Sequence, residues 1–429
     1  MFIQSPDDLI EELTEHPLLE PSQFAELTST LRSSFSNHDD LARELMRRGW
    51  LTSFQVELLL LRQGADLVLG SYVLFDLIGE GHMGKVYKAR QMPIGRVVAV
   101  KVIRPKHLDN PDAVRRFERE IRATAKLSHP NVITALDAGR SGDSSFLVMD
   151  YCEGTDLHRL VRKQGPLAVL QAVDYTRQAA LGLQHAHDRG LVHRDVKPSN
   201  LLVTKPIAPV GPGPSITDSS YRSPHGVVKV LDLGLARLVA GDGSPADGSP
   251  EQVTTSGWII GTPDYVAPEQ TINAHAADIR SDLYSLGCTL YFMLTGQPPF
   301  PDASGAEKFH MHRNVEPTPV EEIRGDVPPR VGQIIRKLMA KQPRDRYQVP
   351  SELSTELAGL LVPKALGGLS EIHANPPLPA VSVPPAPMPA VGGDDGAPAL
   401  AGWPLLFVIG CIVGGVLLVI VACLTMLRG

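Results

Sequence analysis

The sequence predicts an α+β fold beside a membrane-length apolar run, and three features carry that reading. Residues 72–78, 85–90 and 97–102 show strand patterns, the first two flanking a glycine-rich turn at residues 79–84. An amphipathic helix over residues 168–189 then leads through a polar stretch, residues 193–200, into an apolar strand at 201–203. Last, residues 405–427 form an uncharged apolar run of 23 residues, long enough to cross a bilayer as a helix.

At 429 residues the chain is too long for one ordinary domain, so two or three units are expected. The formal net charge of −6 is mild and no basic run is present, which disfavours nucleic acid as a partner. The four cysteines, Cys152, Cys288, Cys411 and Cys423, form no CxxC pair and suit neither a zinc site nor a disulfide framework. The first residues lack a basic region followed by an apolar core, so no signal peptide is expected.

Residues 1–68 read as a small helical module. Helices are expected over residues 7–13, 21–31, 39–48 and 52–63, with Ser22 and Asp39 as caps. No chemistry is assigned to this module. It packs on the following unit or binds a partner, and His16 and His38 are expected at its surface.

The glycine-rich turn reads Gly79-Glu80-Gly81-His82-Met83-Gly84. Dinucleotide-binding folds use the same spacing, but there the third glycine opens a helix. Here the alternating residues 85–90 follow, so a strand–turn–strand flap over phosphates is the better reading. Lys101 lies inside the apolar run Val97–Val102, where an ammonium is costly unless it is paired or faces solvent. A charged helix over residues 112–127 offers Glu118 and Glu120, and Ser128-His129-Pro130-Asn131 breaks it. A strand at 146–151 follows.

The stretch His193-Arg194-Asp195-Val196-Lys197-Pro198-Ser199-Asn200 supplies a carboxylate, an ammonium and an amide within eight residues. Attack of a hydroxyl on a phosphoryl group needs such a set: a base for the proton, a cation for the charge and an oxygen for a metal. Residues 205–226, rich in Pro, Gly and Ser, read as a surface insertion before a strand at 227–231. That strand ends at Asp232-Leu233-Gly234. Asp232 and Asn200 together offer the oxygen ligands that Mg²⁺ prefers.

These motifs, in this order, resemble the eukaryotic-type (Hanks-type) protein kinases, specifically the Ser/Thr class found also in bacteria; the resemblance spans residues 72–361. It implies a two-lobed fold with a β-rich N-lobe and a helical C-lobe. It implies ATP and Mg²⁺ as cofactors and protein substrates as partners. Ile78, Gly79, Glu80, Gly81, Gly84 and Val86 would bind ATP, with Lys101 on the α/β-phosphates and Glu120 as its partner. Residues 146–154 would form the adenine hinge, with Met149 guarding the pocket behind it. Asp195 would be the base, Lys197 the Ser/Thr-class lysine, and Asn200 and Asp232 the metal ligands.

Arg194 implies a phosphate-responsive activation segment, with Thr254, Thr255 and Ser256 as candidate phosphorylation sites and Thr262 contacting the catalytic loop. Glu269 would pair with Arg346, and Asp282 would brace the catalytic loop. Leu233 stands where the family usually has Phe. The phrase Leu45-Met46-Arg47-Arg48-Gly49-Trp50-Leu51-Thr52 resembles segments ahead of planctomycete kinase domains.

Residues 362–403, rich in Pro, Ala and Gly, read as a tether between the kinase unit and the apolar run. A single-pass membrane protein with its kinase domain in the cytoplasm is expected, because ATP is there. The spacing Gly410-x-x-x-Gly414 suits close helix packing, so a homodimer is an expectation. Two other readings stay open: a membrane-tethered pseudokinase scaffold, whose usual signature is loss of the lysine, base or metal aspartate, and a nicotinamide-dependent oxidoreductase.

Overall fold

The computed structural model describes residues 3–81, 83–105, 111–142, 144–204, 223–233, 263–273 and 277–361. These residues lie in one compact unit. The apolar run 405–427, the tether, Thr254, Thr255, Ser256, Thr262 and most of the 205–226 insertion lie outside the described residues.

The chain opens with four short helices: α1 (Pro6–Glu15), α2 (Pro21–Glu26), α3 (His38–Arg47) and α4 (Ser53–Leu60). Their start points differ from expectation. Ser22 and Asp39 lie inside α2 and α3, and the side-chain oxygens of Ser5, Asn37 and Thr52 cap α1, α3 and α4 instead. In each case the residue before the first turn stays extended, so its side chain reaches back to the third backbone N–H. Thr52 and Gln55 form a reciprocal capping box.

A six-stranded antiparallel sheet follows, in the order β1-β2-β3-β4-β6-β5. It comprises β1 (Val68–Leu69), β2 (Tyr72–Glu80), β3 (Gly84–Gln91), β4 (Arg96–Ile103), β5 (Ala135–Ser141) and β6 (Ser144–Asp150). Side chains alternate across a strand, and β4 uses both faces. Val98 and Val100 point one way, into a core shared with Leu9, Leu41, Leu59 and Leu67 of the N-terminal helices and turn. Ala99 and Ile103 point the other way, toward Phe117 and Ile121 of α5 (Pro111–Thr124). The helical module therefore covers the outer face of the sheet, and α5 covers the inner one. Lys101 shares the inner parity with Ala99 and Ile103.

The second lobe is mainly helical. It contains α6 (Leu157–Gln164), α7 (Val169–His187), α8 (Ile279–Thr295), α9 (Gly305–Asn314), α10 (Val320–Ile323), α11 (Pro329–Leu338) and α12 (Pro350–Leu361). Every residue of α8 from Ser281 to Leu294 is buried. Its polar side chains must therefore find partners inside the fold: Ser285 and Thr289 donate to carbonyls four residues back, and Asp282 reaches outside the helix. A three-stranded sheet, β7 (Gly154–Asp156), β8 (Leu201–Thr204) and β9 (Val227–Val230), lies beside α7. Leu201 pairs with Val230 and Thr204 with Val227. The insertion thus leaves from the end of the hairpin opposite Asn200 and Asp232. Its base is stitched to α7, where Tyr175 Oη donates to the His225 carbonyl at 2.7 Å and Gln178 Nε2 to that of Gly226 at 3.1 Å.

Candidate active site

The flap comes first. Glu80 pairs with Lys85, and the Gly81 amide donates to the Gly84 carbonyl at 2.9 Å, closing a tight turn. The glycines serve different ends. A Cβ on Gly84 would fall 1.9 Å from the Val102 carbonyl oxygen, so this position demands glycine for packing alone. A Cβ on Gly81 would meet nothing within 4 Å. Its open space is what a flap needs if its backbone is to approach a ligand. Ile78 is exposed, and Val86 packs against the inner core that holds Ala99 and Met149.

Val86 lies opposite Lys101 in the ladder between β3 and β4, so flap and lysine share one register. Lys101 is buried, and its Nζ lies 2.7 Å from Asp232 Oδ2. The family resemblance named Glu120 as the partner of this lysine. Glu120 is buried on α5 and Glu118 is exposed, as the resemblance implied, and the lysine is held across the cleft by Asp232 of the second lobe. Burial pushes the Asp232 carboxyl up, but Lys101 outweighs it, with smaller help from His193 and Lys197, and leaves the pKa below the ordinary aspartate value.

The catalytic stretch is pinned from beneath. Asp282 Oδ2 accepts from the His193 amide at 2.8 Å and Oδ1 from the Arg194 amide at 2.7 Å. Burial raises the Asp282 pKa, against the opposing pull of His193 and these two bonds. Arg194 adopts a left-handed backbone, φ 68°, and Asp232 another, φ 57°. Such conformations persist where the surroundings over-determine them. His193 is buried: Nδ1 accepts from the Asp195 amide at 3.3 Å, and Nε2 lies 2.8 Å from the Leu231 carbonyl. Through these two contacts His193 ties the Asp195 and Asp232 segments together.

Around Asp195, Lys197 Nζ lies 2.7 Å from Oδ2, and Asn200 Nδ2 donates to the same oxygen at 3.1 Å and to the Asp195 carbonyl at 2.8 Å. Both side-chain donors meet Oδ2, which leaves Oδ1 for an acceptor hydroxyl. The Asn200 backbone carbonyl accepts from the Leu231 amide at 2.9 Å, which places Asn200 beside Asp232. With the Asn200 nitrogen engaged, its amide oxygen and the Asp232 carboxylate form a hard-oxygen donor set that fits Mg²⁺.

The segment that closes the site is held by an ion pair that the sequence anticipated. Arg346 donates to Glu269 at 2.8 and 2.9 Å, and its side chain is fully buried. Burial pushes Glu269 up, but the Arg346 bonds win and lower its pKa. Residues not singled out from sequence join here. Gln270 Nε2 donates to the Arg194 carbonyl at 3.0 Å, and Lys308 on α9 lies 2.6 Å from Asp264. No sequence spacing links these pairs, which are 76 and 44 residues apart.

Residues 72–357 match the family model described as the protein kinase domain. The chain belongs to the protein kinase family. Serine/threonine-protein kinase PknB of Mycolicibacterium smegmatis is 34% identical over 290 residues, covering 67% of this chain and 42% of that protein. Serine/threonine-protein kinase pkn3 of Myxococcus xanthus is 36% identical over 290 residues, covering 67% and 49%. The chain thus spans less than half the length of these relatives. The crystal structure of the Mycobacterium tuberculosis PknI kinase domain aligns with a TM-score of 0.50 at 24% identity, over 68% of this chain and 96% of that one, a likeness of fold. The two-lobed kinase architecture holds. Among the described residues no helix is long and apolar enough to cross a membrane.

Proposed function

We propose that this chain is a serine/threonine protein kinase that transfers the γ-phosphoryl group of ATP to protein hydroxyls in a Mg²⁺-dependent reaction. The observation that carries the proposal is the convergence of Lys101, Asp232, Asn200, Asp195 and Lys197 on one cleft, with His193 joining the two halves. Asp195 Oδ1 receives the proton of the acceptor hydroxyl as its oxygen attacks the γ-phosphorus. The bond to the β–γ bridging oxygen breaks, and ADP leaves with that electron pair. Lys197, already beside Asp195, lies where charge gathers on the transferred group. Asn200 and Asp232 would hold Mg²⁺, which neutralises phosphate charge when bound. Lys101 exchanges its Asp232 contact for the α/β-phosphates, and the flap from Ile78 to Val86 lies over them.

A scaffold that had lost catalysis would be expected to lack the lysine, the base or the metal aspartate, and this chain keeps all three. The nicotinamide reading fails on structure, because a strand and not a helix follows Gly84. Radiolabelled ATP with the full chain tests the proposal: incorporation into Ser and Thr, lost on chelating Mg²⁺, is expected, and none in either condition would overturn it. Mass spectrometry of the same sample would assign any self-modification, with Thr254, Thr255 and Ser256 as the expected sites.

The apolar run 405–427 and the Pro-rich tether support a single-pass anchor, the need for ATP supports a kinase unit on the cytoplasmic side, and Gly410 and Gly414 support pairing of two copies. The phrase at residues 45–52 supports a planctomycete affiliation.

A further inference from the structure

We infer that Thr52 and Gln55 of the N-terminal module are positioning residues for the nucleotide flap, acting through the backbone of β2. The inference rests on the reading that residues 79–84 cover the phosphates. The ladder between β2 and β3 pairs Leu74 with Ala89 and then Asp76 with Lys88, so Phe75 is an extra residue, a β-bulge. A bulge takes its residue out of the ladder and re-aims the strand beyond it. The module takes up the backbone at this point. The Thr52 hydroxyl donates to the Phe75 carbonyl, and Gln55 Nε2 donates to the Leu74 carbonyl at 2.8 Å.

Neither contact is a casual surface bond. Gln55 is buried, 3% exposed, and its Oε1 accepts from the Thr52 amide at 3.0 Å while the Thr52 hydroxyl accepts from the Gln55 amide at 3.2 Å. One capping box thus closes α4 and holds two successive carbonyls of β2. The module also touches the other flap strand: the Phe54 ring lies 5.7 Å from that of Tyr87, which pairs with Leu77. A second register shift, at Ile78, separates this clamp from Gly79. The path from clamp to flap is therefore four residues long, and the bulge sets its direction. Releasing the bulge lets the strand straighten and lifts the flap from the phosphates, without touching Asp195, Lys197 or the metal ligands.

The experiment uses the full chain with Thr52→Val, which keeps the shape and removes the donor, Gln55→Met, and the conservative Thr52→Ser. The KM for ATP should rise about three- to tenfold in Thr52→Val and Gln55→Met, the scale of one ordinary hydrogen bond. The kcat should stay within about twofold, and Thr52→Ser should behave as the parent. Calorimetric binding of ATP and of adenosine should show the loss for ATP alone, because adenosine has no phosphates for a flap to cover. If Gln55→Met does not fold, Thr52→Val decides. A folded Thr52→Val protein with unchanged KM, or with equal losses for ATP and adenosine, would overturn the inference while leaving the flap reading intact. A parent protein that binds ATP no more tightly than adenosine would overturn both.

Discussion

Asp232 lies where two demands on a carboxylate oppose each other: burial favours its neutral acid, and the Lys101 ammonium 2.7 Å away favours its anion. The anion wins, so the group is ready to bind a cation. Lys101→Met, Asp195→Asn and Asp232→Asn should each lower turnover by at least about a hundredfold, with far-ultraviolet circular dichroism unchanged. Full phosphotransfer by Asp195→Asn would refute its role as base. Glu269→Gln should cost about 3–5 kcal/mol, because it leaves a fully buried Arg346 without its counter-charge; urea unfolding at pH 7 reads this directly.

His312, fully buried beside Tyr284 and Lys341, is held to a pKa of about 4 by burial first and Lys341 second. Its folded value lies below the ordinary 6.5, so the unfolded chain binds the extra proton first. The neutral histidine's contribution is complete above pH 6.5 and declines as pH falls toward 4. Glu269 acts in the same direction at lower pH, present above 4.5 and lost through its depressed value, and Asp282 acts in the opposite sense. Calorimetry between pH 7 and pH 5 should show a smaller fall in Tm for His312→Phe than for the parent; equal falls would assign the acid limb elsewhere.

At the level of elements, the N-terminal helices and the β-sheet share one core. Leu59 of α4 and Val100 of β4 belong to the same buried cluster. Leu59→Ala should therefore cost about 2–5 kcal/mol and lower one cooperative transition that includes loss of nucleotide binding. Separate melting of a helical part, seen by scanning calorimetry, would contradict a shared core. The existence of these helices was legible from their apolar spacing. Their docking surface was not, because β4 reads as a continuous apolar run whether its second face meets a helix or another sheet. The caps differ from expectation for a related reason. Ser22 and Asp39 are good cap residues by type, but the cap falls where the chain leaves extended geometry, at Glu20 and Asn37. The Thr52–Gln55 spacing carried a capping-box signal that sequence alone can show.

For the whole molecule, two lobes bring together residues from 101 to 232: the Lys101–Asp232 pair bridges them, and His193 ties the two segments of the second lobe together. If residues 405–427 anchor the chain, the full chain should float with phospholipid vesicles in a density gradient, and a chain ending at residue 361 should stay in the dense fractions. Flotation of both would place the membrane contact in the kinase unit itself. The match of 42% to 49% of the relatives' lengths means that the kinase unit is what they share with this chain, and its neighbours must be tested separately.

The sequence by itself determined the chemistry: Asp195, Lys197 and Asn200 sit so close along the chain that their convergence needs only a turn, and Asp232 follows a strand that must pair with theirs. The family resemblance also assigned the inward role to Glu120 and not Glu118, and Glu120 is the buried one. Only the tertiary structure decided that Asp232 meets Lys101 across the cleft and which side of the sheet the first helices cover. Those outcomes depend on how separately formed surfaces meet, and a pattern along one strand or helix specifies a face without naming its partner.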